Sequence, residues 1–271
     1  MITNYKRAIR IIREELGNYL KRNNLECLVV GVSGGIDSAL CSVLAKKVCD
    51  NIGIPLIGRS LSIITNKSDE ENRARIVGES FCNDFKELDL KEGYMSMVSQ
   101  ISQSDSSILD EDDLGKIRRG NIKARVRMIY LYDLANSKNG MVLSTDNYTE
   151  LLCGFWTING DTGNFGMIQN LWKTEEYKMV DYLLEKEKMS DEGREGLKLC
   201  RDAICTDGLG ISNSDLDQLG VESYEEADNI LRAYLDGDTS FENHKLIRRH
   251  KATEYKRNDP YNIPRNVILG I

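Results

Sequence analysis

Apolar residues along this chain follow two patterns, short continuous runs and repeats spaced three or four residues apart. Short runs bounded by turn residues are typical of buried strands, and they lie at 28–32, 54–64, 85–90 and 141–144. Helical spacing is found at 5–20, 36–46, 68–81, 120–138, 173–184 and 224–235. Strands that alternate with helices predict a parallel sheet. The expected fold class is therefore α/β, an open, mostly parallel sheet with helices on both faces.

The segments between these elements carry fewer signals. Residues 93–119 are rich in serine and aspartate, which favour turns, so we expect a mobile surface segment that is either a lid or a solvated loop. Residues 189–196 are charged and are expected to form a turn. Ser68 is the expected N-cap of its helix, with Glu71 three residues later to complete a capping box.

Composition narrows the class of protein. The 271 residues suffice for one full core, and we expect a single domain over 1–271. A net charge of −7 argues against a nucleic-acid partner, because phosphate neutralisation needs a basic surface. The seven cysteines form no C-x-x-C pair and resemble buried residues of a reducing compartment. With no apolar run long enough to span a bilayer, a cytoplasmic protein without membrane contact is expected.

The strongest local signal is the loop that follows the first predicted strand, Ser33-Gly34-Gly35-Ile36-Asp37-Ser38. A strand, a two-glycine turn and a helix start form an anion cradle, because backbone N–H groups and the helix dipole point at the ligand. The sequence of this loop matches neither the Walker A motif nor the glycine-rich motif of dinucleotide-binding proteins. Hydroxyls at both ends can donate to phosphate oxygens, and the carboxylate can hold Mg²⁺. The same residues could instead form a glycine-rich turn with ordinary first-turn helix residues.

This loop resembles the SGGxDS loop of the ATP pyrophosphatases, which cleave ATP between the α and β phosphates. Further segments are similar to one branch of them, the ammonia-dependent NAD⁺ synthetases. They are GNIKARVRM at 120–128, LSTDNYTE at 143–150, GFWTINGDTG at 154–163, LWKTEEY at 171–177 and RHKATEYKRNDP at 249–260. The resemblance extends over nearly the whole chain. It implies the adenine-nucleotide α-hydrolase-like fold of the ATP pyrophosphatases.

The resemblance also implies a site. Catalytic roles fall to Asp37, Lys173 and Asp161, and the Mg²⁺ ligands would be Asp37 and Glu150. Groups that bind ATP would be Gly31, Ser33, Gly34, Gly35, Ser38, Thr145, Lys173 and Thr206. Groups that bind the acceptor, deamido-NAD, would be Arg125, Asp161, Lys256 and Arg257. Without the family, Glu150 could instead be a first-turn helix acid, Lys173 a helix-start residue and Arg125 a surface charge.

The implied reaction is ATP-dependent amidation of deamido-NAD by ammonia, through an acyl-adenylate, with release of AMP and pyrophosphate. The family resemblance implies a homodimer. The segment before the phosphate loop is too short for a glutaminase domain, so ammonia is expected to arrive free or from a separate glutaminase subunit.

Four positions depart from the family pattern. Ile158 and Phe165 stand where members commonly have a lysine and an aspartate, Tyr255 replaces a histidine, and Cys205 replaces the proline beside Thr206. The first two keep open an enzyme that amidates nicotinic acid mononucleotide instead. Another ATP pyrophosphatase, such as GMP synthetase or a tRNA-modifying enzyme, also fits the phosphate loop, as does a non-catalytic nucleotide-binding protein.

Overall fold

A computed structural model describes residues 1–64, 66–205 and 214–270. In these ranges the strands form one parallel sheet in the order β3-β2-β1-β4-β5. The strands are β1 Cys27–Gly31, β2 Leu56–Ser62, β3 Asp84–Asp89, β4 Gly140–Ser144 and β5 Phe165–Gly166. The predicted parallel sheet is confirmed. The short β5 was not predicted, because two residues carry no periodic signal.

Helices connect the strands and continue beyond them. They are α1 Tyr5–Arg22, α2 Ile36–Ile52, α3 Ser68–Phe81, α4 Lys91–Ser104, α5 Asp113–Asn136, α6 Tyr148–Cys153, α7 Lys173–Lys186, α8 Asp191–Asp202, α9 Asp215–Leu219, α10 Tyr224–Leu235, α11 Lys245–Ala252, α12 Glu254–Arg257 and α13 Arg265–Leu269. Two short 3₁₀ helices lie at Ser106–Leu109 and Thr239–Phe241. Among the residues with described positions, no helix has the length and apolar character needed to span a membrane.

Alternate residues of the central strands pack against helices on opposite faces of the sheet. Leu28 and Val30 of β1 belong to the main core, which includes most of the buried side of α2. Cys27 and Val29 pack instead with Ala135 of α5. The predicted placement of helices on both faces is therefore confirmed, and the carboxyl ends of the strands remain open for a site.

The expectation that turns dominate residues 93–119 is wrong. This stretch contains most of α4, a 3₁₀ helix and the first two turns of α5, and it buries Tyr94, Val98 and Ile108 in one cluster. The serines and aspartates that suggested turns include helix caps: the Asp112 carboxylate accepts from the Gly115 N–H at 2.8 Å. Aspartate is preferred at both N-caps and turns, so its density alone could not separate the two.

Two smaller expectations also need correction. Residues 189–196 are not a turn, because Ser190 caps α8 and that helix packs Leu197 and Cys200 into the main core. The start of α3 also differs from the prediction, because the N-cap is Lys67, one residue earlier than expected. Its N–H donates to the Glu70 carboxylate at 3.2 Å, but its side chain cannot accept a bond in return, so only half of a capping box forms.

Candidate functional site

The phosphate loop, Ser33–Ser38, joins β1 to the buried helix α2. Gly34 has a φ of +83°, and a β-carbon there would lie 2.3 Å from the Glu70 carbonyl oxygen of α3. Only glycine fits both requirements. The Ser33 and Ser38 hydroxyl oxygens lie 3.1 Å apart, and the Ser33 N–H donates to the Ser38 hydroxyl at 3.2 Å. Both hydroxyls thus converge on the helix N-terminus, as an anion cradle requires.

A cavity of about 420 Å³ opens beside this loop at the carboxyl edge of the sheet. The loop contributes Ser33, Gly35 and Asp37 to its wall, and Glu150 of α6 faces it from the end of β4. Two strand ends that flank a common cavity are the expected position for a ligand in an open α/β sheet. Other predicted site residues that line the cavity are Gly31, Thr145, Asp161 and Lys256.

Lys173 lies behind the cavity wall and holds the predicted acids together. Its Nζ is 2.6 and 2.7 Å from the two Asp37 carboxylate oxygens and 3.5 Å from Glu150. A third acid, Glu176, lies 3.2 Å away on the same helix. The Lys173 and Glu176 side chains are fully buried, whereas about a fifth of Asp37 and of Glu150 remains exposed. Asp37 and Glu150 therefore both face the Lys173 ammonium.

The charge states of these acids follow from their neighbours. Burial opposes ionisation of Asp37, but Lys173, together with hydrogen bonds from Glu176, Lys173 and Asn147, holds the pKa of Asp37 below its ordinary value. The pKa of Glu176 and that of Glu150 are raised well above the usual range by burial and by the Asp37 charge. The cluster is thus best described as an ionised Asp37–Lys173 pair beside two acids that favour protonation.

A second pair of acids lines the same cavity. Asp146 is buried and accepts from the Ser144 hydroxyl at 2.6 Å. Burial, with the nearby Asp161 charge, raises the pKa of Asp146 to about 7. Burial also raises the pKa of Asp161, although the Thr157 N–H donates to its carboxylate at 2.6 Å. These acids are poised for a ligand that carries positive charge or donates hydrogen bonds.

Sequence reasoning missed several residues that support this site. Asn147 donates to Asp37 at 2.7 Å, and Asp228 of α10 accepts from both Thr149 and Thr174. Asn147 and Glu176 lie beside predicted residues in the chain, and Glu176 is one helical turn from Lys173, so helical spacing could have indicated it. Asp228 lies 54 residues from Thr174 in the sequence, and no local pattern points to it.

The remaining predicted residues take varied positions. Lys256 donates to the carbonyl oxygens of Gly154 and Trp156, so its charge is held at the cavity wall. The Arg257 guanidinium donates to the Leu152 carbonyl at 3.0 Å and is used for packing α12 on α6. Arg125 is exposed and donates to the Ile158 carbonyl at 3.2 Å. Thr206 falls outside the described residues.

Arg127 was not selected from the sequence, yet it lines the cavity while Arg125 does not. Its guanidinium donates to the Leu61 carbonyl at 3.0 Å and to the Asn66 side chain at 3.2 Å. The two arginines are two residues apart on α5, which rotates them to different faces as the spacing predicted.

Of the positions that depart from the family pattern, one is explained by packing. Phe165 lies in β5 with its ring 5.1 Å from that of Tyr19, so it fills the core and leaves the cavity untouched. Tyr255 is exposed. Ile158 contributes its carbonyl oxygen to the Arg125 bond, and an aliphatic side chain there provides no charge for an acceptor.

Asp37 and Glu150 can take part in binding Mg²⁺, which at nucleotide sites uses one or two carboxylates together with phosphate oxygens and water. Both line the cavity and both face one cation, Lys173 Nζ. No cluster of three or more metal-binding side chains is found in the described ranges. The donor set therefore fits an ion shared with a nucleotide better than an all-protein cage.

A family model and the related proteins both assign the chain to the same family. The NAD synthase family model matches residues 8–260. Ammonia-dependent NAD⁺ synthetase of Finegoldia magna is 30% identical over 256 residues, which cover 94% of each chain. That of Thermococcus kodakarensis is 33% identical over 234 residues, 86% of this chain and 82% of the relative.

Solved structures share the fold. NMN synthetase from Francisella tularensis superposes with a TM-score of 0.80 at 24% identity, covering 97% of this chain and all of its own. Ammonia-dependent NAD synthetase from Campylobacter jejuni superposes with a TM-score of 0.68 at 21% identity, covering 97% of this chain and 98% of its own. At these identities the likeness establishes architecture alone.

Proposed function

The chain belongs to the NAD synthase family, and from this premise we propose that it amidates the carboxylate of deamido-NAD with ammonia at the expense of ATP. The observation that carries the proposal is the convergence of Asp37 and Glu150 on Lys173 beside the phosphate loop. A protein that bound only AMP would have no use for such a site at the pyrophosphate end. ATP and ammonia are the co-substrates that this chemistry requires.

The chemistry needs activation because a carboxylate cannot expel oxide when ammonia attacks. In the proposed reaction the acceptor carboxylate attacks the α-phosphorus of ATP and pyrophosphate leaves. Ammonia then attacks the acyl carbon, a proton is lost and AMP leaves. No protein nucleophile is required, so no covalent enzyme intermediate forms.

The phosphate loop stabilises the charge that grows on the departing pyrophosphate. The N–H groups of Gly34 and Gly35 and the hydroxyls of Ser33 and Ser38 supply hydrogen bonds at the N-terminus of α2. Gly31 lets the chain pass close to the nucleotide, and Thr145 lines the cavity at the end of β4. We assign Thr206 the same phosphate-binding role that the family resemblance implies.

Mg²⁺ would be held by Asp37 and Glu150, and when bound it would neutralise charge on the phosphates. Glu150, whose pKa is raised in the fold, would lose its proton on binding the ion. Lys173 keeps Asp37 ionised, which is the state that a metal ligand needs. Its ammonium lies behind Asp37, so direct contact with phosphate would require the side chain to leave these acids. We therefore propose that the main role of Lys173 is to keep Asp37 ionised.

On the acceptor side, we assign Asp161 to orient the nicotinate or the ammonia, because it lines the cavity and the Thr157 N–H holds its carboxylate in place. Lys256 and Arg125 would contact the acceptor at the wall and at the outer rim. Arg257 would not contact the acceptor directly, since its guanidinium donates to main-chain oxygens. It would affect acceptor binding only by holding α12 in position. We also propose a cytoplasmic homodimer, which light scattering during size-exclusion chromatography would test.

The proposed function is tested by incubating the protein with ATP, Mg²⁺, ammonium and deamido-NAD, then measuring AMP, pyrophosphate and NAD. Equal amounts of the three products are expected. Asp37→Asn should abolish AMP release with the fold intact, while Asp50→Asn, at the exposed end of the same helix, should retain it. Formation of ADP and orthophosphate, or no AMP with any acceptor, would refute the proposal.

A second candidate is amidation of nicotinic acid mononucleotide. Ile158 favours it, because a neutral side chain stands where family members commonly place a dinucleotide-binding lysine, and the Ile158 carbonyl is bonded to Arg125. The same assay with both acceptors in competition separates the two, since NMN would then form faster than NAD. Supplying ammonium or a glutaminase with glutamine would distinguish free ammonia from delivered ammonia.

A further inference from the structure

One cationic side chain that the family resemblance does not indicate lies against the phosphate loop. Arg73 of α3 donates from Nε to the Gly34 carbonyl oxygen at 2.9 Å. Its Nη1 donates to Asp69 at 2.7 Å, one turn earlier in the same helix. Only 14% of the side chain is exposed, and the residue lines the same cavity as Ser33 and Asp37. The guanidinium is therefore fixed by two bonds beside the expected position of the phosphates.

The orientation of Arg73 leaves part of its donor set unused. Across 1–64, 66–205 and 214–270, the Arg73 Nη2 group has no hydrogen-bond partner. The carboxylate partner, Asp69, has 65% of its side chain exposed, so solvent screens much of its charge. Arg73 thus keeps donors and net positive charge available to the cavity.

The charges around the phosphate loop indicate what these Arg73 donors could bind. Lys173 is enclosed by Asp37, Glu150 and Glu176, which leaves little of its charge for a phosphate. Pyrophosphate gains negative charge as it leaves, and a guanidinium binds phosphate oxygens through paired N–H groups. Because Arg73 belongs to α3 and is anchored to the carbonyl of Gly34, it approaches the loop from the α3 side and lines the cavity there.

We propose that Arg73 is a further phosphate-binding residue, which donates from Nη2 to the β- or γ-phosphate of ATP and stabilises the departing pyrophosphate. This inference rests on the proposed function and adds a cation to its leaving-group site. Nε of Arg73 keeps the Gly34 peptide in place, while Nη2 contacts the ligand. The role depends on charge, which separates it from simple support of the loop.

The test measures binding of inorganic pyrophosphate, with Mg²⁺, to the whole protein by calorimetry. Arg73→Gln should weaken pyrophosphate binding about 10-fold or more, as expected for loss of a charged hydrogen bond. Arg73→Lys, which keeps the charge but has no second N–H group to hold the Gly34 carbonyl, should lose clearly less affinity than Arg73→Gln. Affinity for AMP, which does not use the pyrophosphate end, should be unchanged in both.

Arg75→Gln provides the matched control, because Arg75 lies on the same helix but pairs with Glu87 at the surface. It should bind pyrophosphate as the wild type does. Wild-type affinity in Arg73→Gln, or equal losses in Arg73→Gln and Arg73→Lys, would overturn the inference while leaving the proposed function standing. A wild-type protein that binds no pyrophosphate would overturn both.

Discussion

The ammonium of Lys173 contacts both carboxylate oxygens of Asp37, at 2.6 and 2.7 Å, although the two residues are 136 positions apart in the chain. This pair joins the start of α7 to the phosphate loop at the start of α2. Since Lys173 is fully buried, its charge is compensated within the protein by Asp37, with Glu150 and Glu176 nearby. The pair therefore couples the stability of the fold to the charge state of the site.

Replacing Lys173 with methionine should destabilise the protein by about 3–5 kcal/mol near pH 8, because it leaves buried carboxylates without their cation. The loss should be smaller near pH 5, where Asp37, freed from the charge that lowers its pKa, takes up a proton more readily. Urea unfolding at both pH values measures this. Lys178→Met, at an exposed position of α7, should change little at either pH. A loss that did not depend on pH would contradict the assignment.

Site residues that lie within a recognisable motif could be predicted from the sequence, whereas contacts between distant parts of the chain could not. The phosphate loop and the acids at two strand ends were predicted, because the carboxyl ends of parallel strands meet at one edge. Glu176 was missed because two adjacent glutamates in a helix look like solvated charges. Helical spacing places Glu176 on the same face as Lys173, and the fold shows in addition that Glu175 accepts from the Ile2 N–H.

Elements were predicted where periodicity was strong and missed where composition was ambiguous. The helix at Tyr224–Leu235 was predicted with its exact bounds from the spacing of its apolar residues. The 93–119 segment was not, since serine and aspartate serve caps and turns alike. Its Tyr94, Val98 and Ile101 do have helical spacing, so the apolar pattern was the better guide there than the serine and aspartate content.

Gly34→Ala should destabilise the fold by about 1–3 kcal/mol and weaken ATP binding, because its φ of +83° and the Glu70 carbonyl 2.3 Å from the new methyl group both oppose a side chain. Thermal unfolding and equilibrium binding of ATP measure the two effects. Gly93→Ala is the control: that helical position has open space for a methyl group, and about 0.5–1 kcal/mol of added stability is expected. Equal effects of the two substitutions would show that the close approach at Gly34 is unimportant.

Asp146 should make the protein less stable as pH rises. Its pKa is about 7 in the fold, above the value of an exposed aspartate, so the folded state binds a proton that the unfolded state has released. The contribution of Asp146 to the free energy of unfolding therefore decreases between about pH 4 and pH 7 and is constant above about pH 7. Asp146→Asn should remove a decrease on the order of 4 kcal/mol, since about three pKa units separate the folded and unfolded values. Parallel pH profiles for wild type and variant would exclude this role.

Asp228 of α10 holds the start of α7 in place. It should affect the site only by positioning Lys173 and not by contacting a ligand. Its buried carboxylate accepts from the Thr149 hydroxyl at 2.6 Å and from the Thr174 N–H and hydroxyl at 3.0 and 2.7 Å. The Thr149 oxygen in turn accepts from the Lys173 N–H at 2.9 Å, so this network fixes the origin of the Lys173 side chain. An amide cannot accept all three bonds, because one of its two groups is itself a donor.

Asp228→Asn should therefore cost about 1–3 kcal/mol of stability and raise the KM for ATP, while the KM for the acceptor changes less. Urea unfolding and initial rates of AMP release give the two quantities. Asp236→Asn, at the exposed end of α10, should leave both at wild-type values. If Asp228→Asn lost stability but kept the wild-type KM for ATP, the network would hold the helices together without positioning Lys173. The link from α10 to the phosphate loop would then be wrong.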